Sequence, residues 1–538
     1  AIAGAVTIDS NGNVTAGEQD YNDGNGDVSP GEPAADIITG GTLTVNPTTG
    51  QGTLTLITNN TGVGSPAGTE VFAVQFANTK HALIAEFDGW ATSSGSLDLQ
   101  TATTASGNFA FALSGVDQGY NSVAYGGVYS ISGGTANGIL DINDNGDSQQ
   151  TGVAFTSTST TPDAFGRSTV SGITNSTITP ASSIVLASYV VGPEVVRLID
   201  IDNGNGTTAG TYADAAVGSA YGQGSTTTFT NATFPSTSSS SGVFTLLGQW
   251  SEAYATLGEF TADATNKSFS AGTADDNELD NGILVTAASI ASSTYNFVGT
   301  AANGYGSMTL DWNGATSNGS SPSVGLLGVY MVDPKLNIND PNNTTSADVG
   351  GALVIDLVLA GGMGVITPQT NTTVAKFSGT YVAGFQNFND FNFTCYACEL
   401  DMVSQGTMTS GAALSLTGDD SDPFGTWTGT PAQSTGDTFT STPFSAGTGI
   451  YSMSSGNTIP NPLEATINAA APFGLNVDIY QASGSTLYWI DVDPSGLSVF
   501  LGPIEEFTGA PTLQPAEETQ PQPNTNVKPT QGLGGTSH

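Results

Sequence analysis

Among the groups of residues in this sequence that could do chemistry, acidic turns made of Asp, Asn and Gly are the most frequent. The best example is residues 141–147, Asp-Ile-Asn-Asp-Asn-Gly-Asp. Calcium prefers about six to eight oxygen ligands, and Asp141, Asn143 and Asn145 place such oxygens in one tight loop, as in the first half of an EF-hand. No turn has the Glu of a complete EF-hand loop, and the same residues form ordinary hairpin turns. A calcium site at these three residues and a plain turn are therefore both open.

The two cysteines form a second candidate site, because Cys395 and Cys398 are separated by only two residues. A redox motif of the thioredoxin type needs a βαβ context, which the sequence around them lacks. Covalent haem attachment needs a His after the second Cys, and Glu399 stands there. In an exported protein, a disulfide that closes a small loop is the expected chemistry.

Catalytic residues are in short supply. His81 is the sole internal histidine, so Ser-His-Asp and zinc-hydrolase sites lack their usual side chains. Two carboxylates could still hydrolyse a glycosidic bond, and the chain offers Glu86 with Asp88 and Glu505 with Glu506. Because the chain has 47 acidic residues, such neighbours arise by chance. We therefore predict that the protein is not an enzyme and holds no cofactor, with calcium at the turn left open.

These residues lie between segments in which apolar residues recur at every second position, which is typical of β-strands. Clear cases are residues 52–57, 71–76 and 108–113. Helical periodicity is almost missing, and residues 462–470 are the single segment that could form a short helix.

The charge of the chain is one-sided, with 7 Lys and Arg against 47 Asp and Glu and a net charge of -40 over 538 residues. Such a polyanion repels nucleic acid and acidic lipid surfaces, so the sequence argues against both kinds of partner. No apolar run reaches the ~20 residues of a membrane span, and no signal segment opens the chain. We expect a processed, secreted and soluble product with acids spread over solvent-facing loops.

Similar strand segments recur about every 134 residues, which predicts four diverged copies. Their bounds are 1–104, 105–240, 241–374 and 375–506. Each copy has roughly seven to nine short antiparallel strands and enough residues for its own core. The predicted fold class is all-β, with four tandem β-sandwich or β-barrel domains. Hydrophobic pattern alone leaves the sandwich and the barrel both open.

The first copy departs from the others because its first residues, 1–8, match the second strand of copy two, residues 123–131. Its opening strand is therefore missing from this sequence. An open sheet edge is a template for pairing, so a strand from another subunit could fill the gap. The alternative is that proteolysis removed a strand whose loss the sheet tolerates.

Two segments fall outside this repeat. Residues 203–241 are rich in Ser, Thr and Gly, and either a flexible linker or an extra strand that pairs outside its own domain fits them. Residues 507–538 contain five prolines between Gln, Asn and Glu, which predicts an extended tail without a core of its own.

Residues 108–117 (Asn-Phe-Ala-Phe-Ala-Leu-Ser-Gly-Val-Asp), 124–129 and 138–145 resemble bacterial secreted cell-surface proteins built from tandem Gly/Ser/Thr-rich β repeats. The likeness is strong over copies one and two and faint over copies three and four. It implies export and a role at the cell surface, and it transfers no active site.

The first functional hypothesis is a structural subunit of an extracellular filament, appendage or surface layer, with copies of itself as partners. The second is a surface adhesin or carbohydrate-binding protein with calcium-binding loops and glycan partners, and a polysaccharide hydrolase is third. Long regular polymers formed without added ligand would favour the first.

Overall fold

The computed structural model of this chain describes residues 1–22, 35–64, 66–88, 93–116, 121–144, 148–174, 183–201, 215–224, 228–249, 253–278, 283–297, 304–311, 324–343, 349–358, 361–370, 378–389, 398–409, 415–426, 430–441, 463–469, 474–492 and 498–514. Its strands form four antiparallel sheets in chain order, which we call the first to fourth domains. The prediction of an all-β chain with four tandem antiparallel domains is confirmed.

The first domain is an open sheet of seven strands paired in sequence order. Its strands are Ile2–Ile8 (β1), Val14–Tyr21 (β2), Asp36–Val45 (β3), Gln51–Thr58 (β4), Thr69–Asn78 (β5), His81–Glu86 (β6) and Ser94–Asp98 (β7).

The second domain is a closed barrel of eight strands, in which β15 pairs back with β8. Its strands are Gly107–Val116 (β8), Ser122–Ser132 (β9), Thr135–Asp144 (β10), Ser148–Ser159 (β11), Arg167–Thr174 (β12), Ser183–Gly192 (β13), Val195–Asp200 (β14) and Ala215–Gly222 (β15).

The third domain also closes, because β18 pairs with β17 on one side and with β20 on the other. β19 pairs with the C-terminal half of β18 on the same side as β20. Its strands are Ser241–Gln249 (β16), Ala253–Asp263 (β17), Ser268–Glu278 (β18), Ile283–Ser289 (β19), Thr294–Phe297 (β20), Tyr305–Asp311 (β21), Val324–Met331 (β22), Ala352–Asp356 (β23) and Gly361–Pro368 (β24).

The fourth domain is a second closed barrel of eight strands. Its strands are Ser378–Asn389 (β25), Cys398–Thr409 (β26), Ser415–Thr426 (β27), Thr430–Ser441 (β28), Leu463–Ala469 (β29), Gly474–Gln481 (β30), Thr486–Asp491 (β31) and Ser498–Glu506 (β32). The prediction of a short helix over residues 462–470 is wrong, because β29 pairs with both β28 and β30. Ladders on both sides outweigh a weak helical preference.

The opening strand β8 shows why these sequences form barrels that also pack on each other. Phe109, Phe111 and Leu113 point into the core of the second domain. Ala110 and Ala112 point outward and pack against the third domain. Large residues on the inner face and small ones on the outer face therefore fill the barrel and let a neighbour approach closely.

In its described residues, 215–224 and 228–241, the connection between the second and third domains forms neither a linker nor a strand that pairs outside its own domain. Its residues 203–214 lie outside the described residues, and β15 belongs to the second barrel. Phe229 and Phe234 then enter the core of the third domain on either side of a 3-10 turn, Asn231–Thr233. Phe234 stacks on Phe260 with 5.4 Å between ring centroids. The connection therefore caps the third barrel.

Residues 507–514, which we call the C-terminal strap, cap the first domain in the same way. The strap follows β32 and crosses one end of the open sheet. The Thr508 amide donates to the Ala77 carbonyl (2.8 Å), and the Gln514 amide donates to the Ser10 carbonyl (2.7 Å). Two apolar side chains of the strap pack against the first domain's core. Residues 515–538 of the predicted tail lie outside the described residues.

The four domains close into a ring, since each contacts the domains before and after it and the fourth contacts the first. The last contact brings together apolar residues of β5, β6, β25 and β26. The connection between β22 and β23 reaches the other three domains from the third, through contacts of Ile338, Asn339 and Asp340.

Candidate functional site

The strongest repeated constellation is an Asp and an Asn two residues apart, at the end of β2, β10 and β18, where each domain meets the next. The Asp is fully buried in all three places, and the Asn is at most 5% exposed. The three pairs are Asp20 with Asn22, Asp141 with Asn143, and Asp275 with Asn277.

Each Asp accepts a hydrogen bond from a buried tyrosine hydroxyl of the next domain. The bonds are Tyr189 to Asp20 (2.6 Å), Tyr330 to Asp141 (2.6 Å) and Tyr480 to Asp275 (2.9 Å). Each Asn side chain donates to the main-chain carbonyl of an Asp at the end of a strand in the next domain. These bonds are Asn22 to Asp200 (2.9 Å), Asn143 to Asp356 (3.0 Å) and Asn277 to Asp491 (2.9 Å). We call each such set a junction lock.

The second lock shows the electrostatics most clearly. Burial raises the pKa of Asp141 above its usual value, and the hydroxyls of Tyr305 and Tyr330, each 2.6 Å away, with the Gly152 amide at 2.7 Å, oppose that shift. The pKa of Tyr330 is raised well above 10.0 by its own burial and by the facing carboxylate. The tyrosine therefore keeps its proton and donates it in the hydrogen bond.

The first lock carries an ion pair as well. Arg167 approaches Asp20 with two nitrogens, Nε at 2.7 Å and Nη2 at 2.6 Å. Although burial would lower the pKa of Arg167, the facing carboxylate holds it above its ordinary value. A two-point contact of this kind fixes orientation as well as distance.

The contact between the fourth and first domains lacks the lock. In the second domain, Asp200 at the end of β14 pairs with Leu186, and Tyr189 lies three residues after Leu186. In the first domain, Glu86 at the end of β6 pairs with Phe72, and Gln75 lies three residues after Phe72. Gln75 therefore occupies the position of the lock tyrosine. Val403 takes the place of the Asn, two residues after Asp401. Val403 packs instead with Val382 and small residues of the first domain. This junction is therefore mainly apolar.

His81 lies at the centre of the ring, between carboxylates of two domains. Its Nδ1 is 2.8 Å from Asp98 of the first domain, and its Nε2 is 3.3 Å from Glu505 of the fourth. Burial alone would lower the pKa of His81, but Glu505 and Asp98 hold it well above 6.5. The imidazole is therefore protonated at neutral pH.

The same chain of contacts continues into the second and third domains. Arg197 of the second domain donates to the other oxygen of Asp98 (2.5 Å) and to the Tyr221 hydroxyl (3.1 Å). Tyr221 in turn donates to the carbonyl of Ile338 in the third domain (2.9 Å). One continuous series of polar contacts, which we call the hub, thus joins all four domains.

His81 is not placed to act as a general base. His81 is 1% exposed, and both ring nitrogens face carboxylates. A general base must reach a substrate proton, and a buried imidazole with these two partners is placed to hold the domains instead. This arrangement supports a structural role for the hub.

The structure describes two of the three residues of the predicted calcium site. Asp141 and Asn143 lie in the second junction lock, where Tyr305 and Tyr330 donate to the Asp141 carboxylate. Asn145 lies outside the described residues. Among the residues that the structure does describe, no group of three or more His, Cys, Asp and Glu side chains is arranged to hold a metal ion. Calcium binding at the turn stays a prediction.

The predicted disulfide falls at the edge of what the structure describes. Cys398 begins β26, while Cys395 lies outside the described residues. Their pairing stays a prediction.

The two candidate carboxylate pairs lie in different domains, Glu86 with Asp88 in the first and Glu505 with Glu506 in the fourth. Burial and the nearby Asp88 and Glu70 raise the pKa of Glu86 to about 7. Glu505 belongs to the hub, while Glu506 follows it at the end of β32, where the chain enters the strap. None of these contacts supplies a site at which two acids flank a sugar.

The expectation that the turn acids face solvent is wrong for the acids of the locks. Asp20, Asp141, Asp200, Asp275 and Asp356 are all at most 2% exposed. The strands continue into these acidic segments and bring them against the next domain, where Tyr and Asn side chains pair with them. The sequence signal for the locks is the repeated Asp-x-Asn spacing, which by itself fits metal binding or turns equally well.

A slot separates the two edge strands of the first domain. Within the described residues, β1 pairs with β2 alone and β7 with β6 alone. The central residue Val74 is fully buried, whereas Ile2, Val6 and Leu97 near the two edges are half-buried. In the second domain the corresponding place is filled by β8, between β15 and β9. The slot therefore lies at the position that one strand, β8, occupies in the second domain.

No family model matches the chain, and no curated protein matches it. Among solved structures, that of intact Ap-TbpB (N and C lobes) shares 9% identity and has a TM-score of 0.17, covering 81% of this chain and 86% of its own. A double mutant and a single mutant of Transferrin Binding Protein B from Haemophilus parasuis Hp5 share 8% identity, with TM-scores of 0.17 and 0.18. They cover 79% and 81% of this chain and 83% and 86% of their own. In the described residues no helix is long and apolar enough to cross a membrane.

Proposed function

We propose that this protein is a structural subunit of an extracellular filament, appendage or surface layer, and that it assembles through the slot of its first domain. The slot carries the proposal, because both of its edges have main-chain groups free of a second strand partner in the described residues. Such edges accept a strand from another chain.

The chemistry of the slot favours assembly over protection. Natural edge strands are usually blunted by Lys, Pro or short length, whereas β1 has seven residues, Ile-Ala-Gly-Ala-Val-Thr-Ile, without charge or proline. Main-chain hydrogen bonds and apolar contacts do not depend on charge. A chain of net charge -40 can therefore associate through this slot despite the mutual repulsion of its copies.

The ring suits the same role. Three junction locks and the hub hold four domains together through buried contacts, so the particle behaves as one preformed block. A subunit that bears load between neighbours benefits from such rigidity.

The occupant that fits the slot is a strand with large apolar residues at every second position. The second domain shows the fit, since Phe109, Phe111 and Leu113 of β8 fill the corresponding place. We assign the strand to another protein chain, as in donor-strand assembly.

The test adds a synthetic peptide with the sequence of residues 107–116 to the full-length protein. We expect one peptide to bind per chain, with slower hydrogen exchange at β1 and β7, and to block polymers seen by electron microscopy in untreated material. The control peptide carries Phe109→Ser, Phe111→Ser and Leu113→Ser, and should do neither.

Two results would overturn the proposal. The first is a protein that stays monomeric at high concentration and binds neither peptide. The second is strong protection of the β1 edge in the isolated monomer, because the slot would then be filled by its own chain.

A further inference from the structure

The contact that closes the ring differs from the other three junctions in how it is held. Successive domains are joined by the chain itself and by a junction lock at each step. The fourth and first domains are adjacent in space but not in sequence, and Gln75 and Val403 replace the Tyr and Asn of a lock. This junction must therefore be held by other contacts.

Three sets of contacts replace the lock. Apolar residues meet across the junction, among them Ala73 and Leu83 on one side and Val382 on the other. The C-terminal strap crosses from β32 to the first domain, held by main-chain hydrogen bonds. His81 faces Glu505, which lies two residues before the strap begins.

The His81 to Glu505 contact is the sole ion pair between these two domains within the described part of the chain. The apolar residues of the junction carry no charge, so the His81 to Glu505 contact is the part of it whose strength depends on the His81 proton. We propose that the His81–Glu505 contact and the strap form a clasp, and that loss of the His81 proton opens the ring there while the three locked junctions stay closed.

The groups that face His81 determine at which pH the clasp opens. Asp98 approaches from β7, Glu505 from β32 and Asp340 from the connection between β22 and β23, while Arg197 on β14 reaches the far oxygen of Asp98. Three acids against one distant cation favour the imidazolium, in agreement with the raised pKa of His81. A group whose pKa is raised by folding stabilises the folded state fully at pH values below its unfolded-state pKa. That stabilisation is lost as the pH rises through the folded-state pKa. The clasp is therefore closed at neutral pH and opens in alkali.

The test follows proton and shape together in the full-length protein. NMR of the histidine rings gives the titration of His81, and His538, the other histidine, is an internal reference. Small-angle X-ray scattering over the same pH range gives the radius of gyration. We expect the radius to increase at the pH where His81 titrates, and hydrogen exchange to rise in β5, β6, β25 and β26 but not at the three locks.

Two variants separate titration from general loosening. Glu505→Gln keeps the shape of the side chain but removes its charge, so both the His81 titration and the opening should move to lower pH together. Asp263→Asn alters an exposed acid of the third domain and should move neither. Because the readout is a shared pH midpoint, a variant that is merely less stable does not imitate the result.

The clasp is overturned if His81 titrates without a change in radius, if the radius changes at a pH that Glu505→Gln does not move, or if a locked junction opens first. A slot that fails to bind the peptide leaves the clasp unaffected, because the two tests use different surfaces.

Discussion

The hydroxyl of Tyr330 in the third domain donates to the Asp141 carboxylate of the second over 2.6 Å, and neither side chain is exposed. The same relationship recurs between Tyr189 and Asp20. A buried carboxylate with matched donors is stable in place, whereas the same group left without them is costly. These bonds therefore specify which face of one domain meets the next, in addition to holding them together.

Tyr330→Phe should lower the stability of the protein, because it removes a donor and leaves an oxygen of Asp141 buried without that partner. We expect a loss of about 1–3 kcal/mol in the free energy of unfolding, measured by urea denaturation. Tyr129→Phe is the matched control, since the Tyr129 ring stacks on Phe109 at 5.4 Å and its hydroxyl takes part in no such lock. Equal losses of unfolding free energy in the two variants would show that the hydrogen bond to Asp141 contributes no more to stability than the Tyr129 hydroxyl does.

Phe234→Ala should destabilise the third domain by about 3–5 kcal/mol, because it empties the cap of that barrel. Phe234 is 2% exposed and contacts the rings of Phe260, Tyr295 and Phe297. Calorimetry should show the loss in one transition if the ring unfolds as a unit.

The control for this cap is Val358→Ala, which truncates a residue that is 48% exposed in the same domain. Its effect should stay within about 0.5 kcal/mol. A similar small effect for Phe234→Ala would mean that the connection is a linker, as one reading of its Ser-rich sequence suggested.

Strand periodicity predicted the fold class because inner and outer faces alternate along each strand, as in β8 with Phe109 inside and Ala110 outside. It could not predict barrel closure, because closure depends on which edge strands pair. It also could not place Phe234, since a capping segment has no period.

The candidate site was harder to predict than the fold. Asp141 and Asn143 were identified as a pair from their spacing, but their partners Tyr330 and Asp356 lie about 190–210 residues away in the sequence. The role of His81 was not predictable from the sequence, because Glu505 meets it, and Arg197 meets its partner Asp98, only through contacts between domains. Contacts of that kind follow from tertiary packing and leave no local pattern.

Cys395 and Cys398 are expected to form a disulfide with each other in the native protein. The intact mass measured without reductant should be lower by two hydrogen masses than the mass after reduction. Labelling of two thiols by iodoacetamide in the unreduced, unfolded protein would contradict the pairing.

Stability should fall as pH rises from about 5 to about 8, because several buried acids keep protons in the folded state that the unfolded chain releases. Burial raises the pKa of Glu259 from 4.5 to about 7, opposed by the side-chain hydrogen bond from Gln369. Burial also raises the pKa of Asp276 to about 7. Between the unfolded and folded values the folded state binds more protons, so ionisation on raising the pH costs stability.

The decisive variant is Glu259→Gln, because a neutral amide cannot lose a proton at that site and still offers an oxygen to Gln369. Denaturation midpoints at pH 5, 6, 7 and 8 and constant ionic strength should show a shallower decline than in the original protein. Asp263→Asn is the matched control on the same strand, β17, because the pKa of exposed Asp263 is lowered and its titration lies below this range. A decline that Glu259→Gln leaves unchanged, or a stability that rises toward pH 8, would show that Glu259 is ionised at neutral pH in the folded protein.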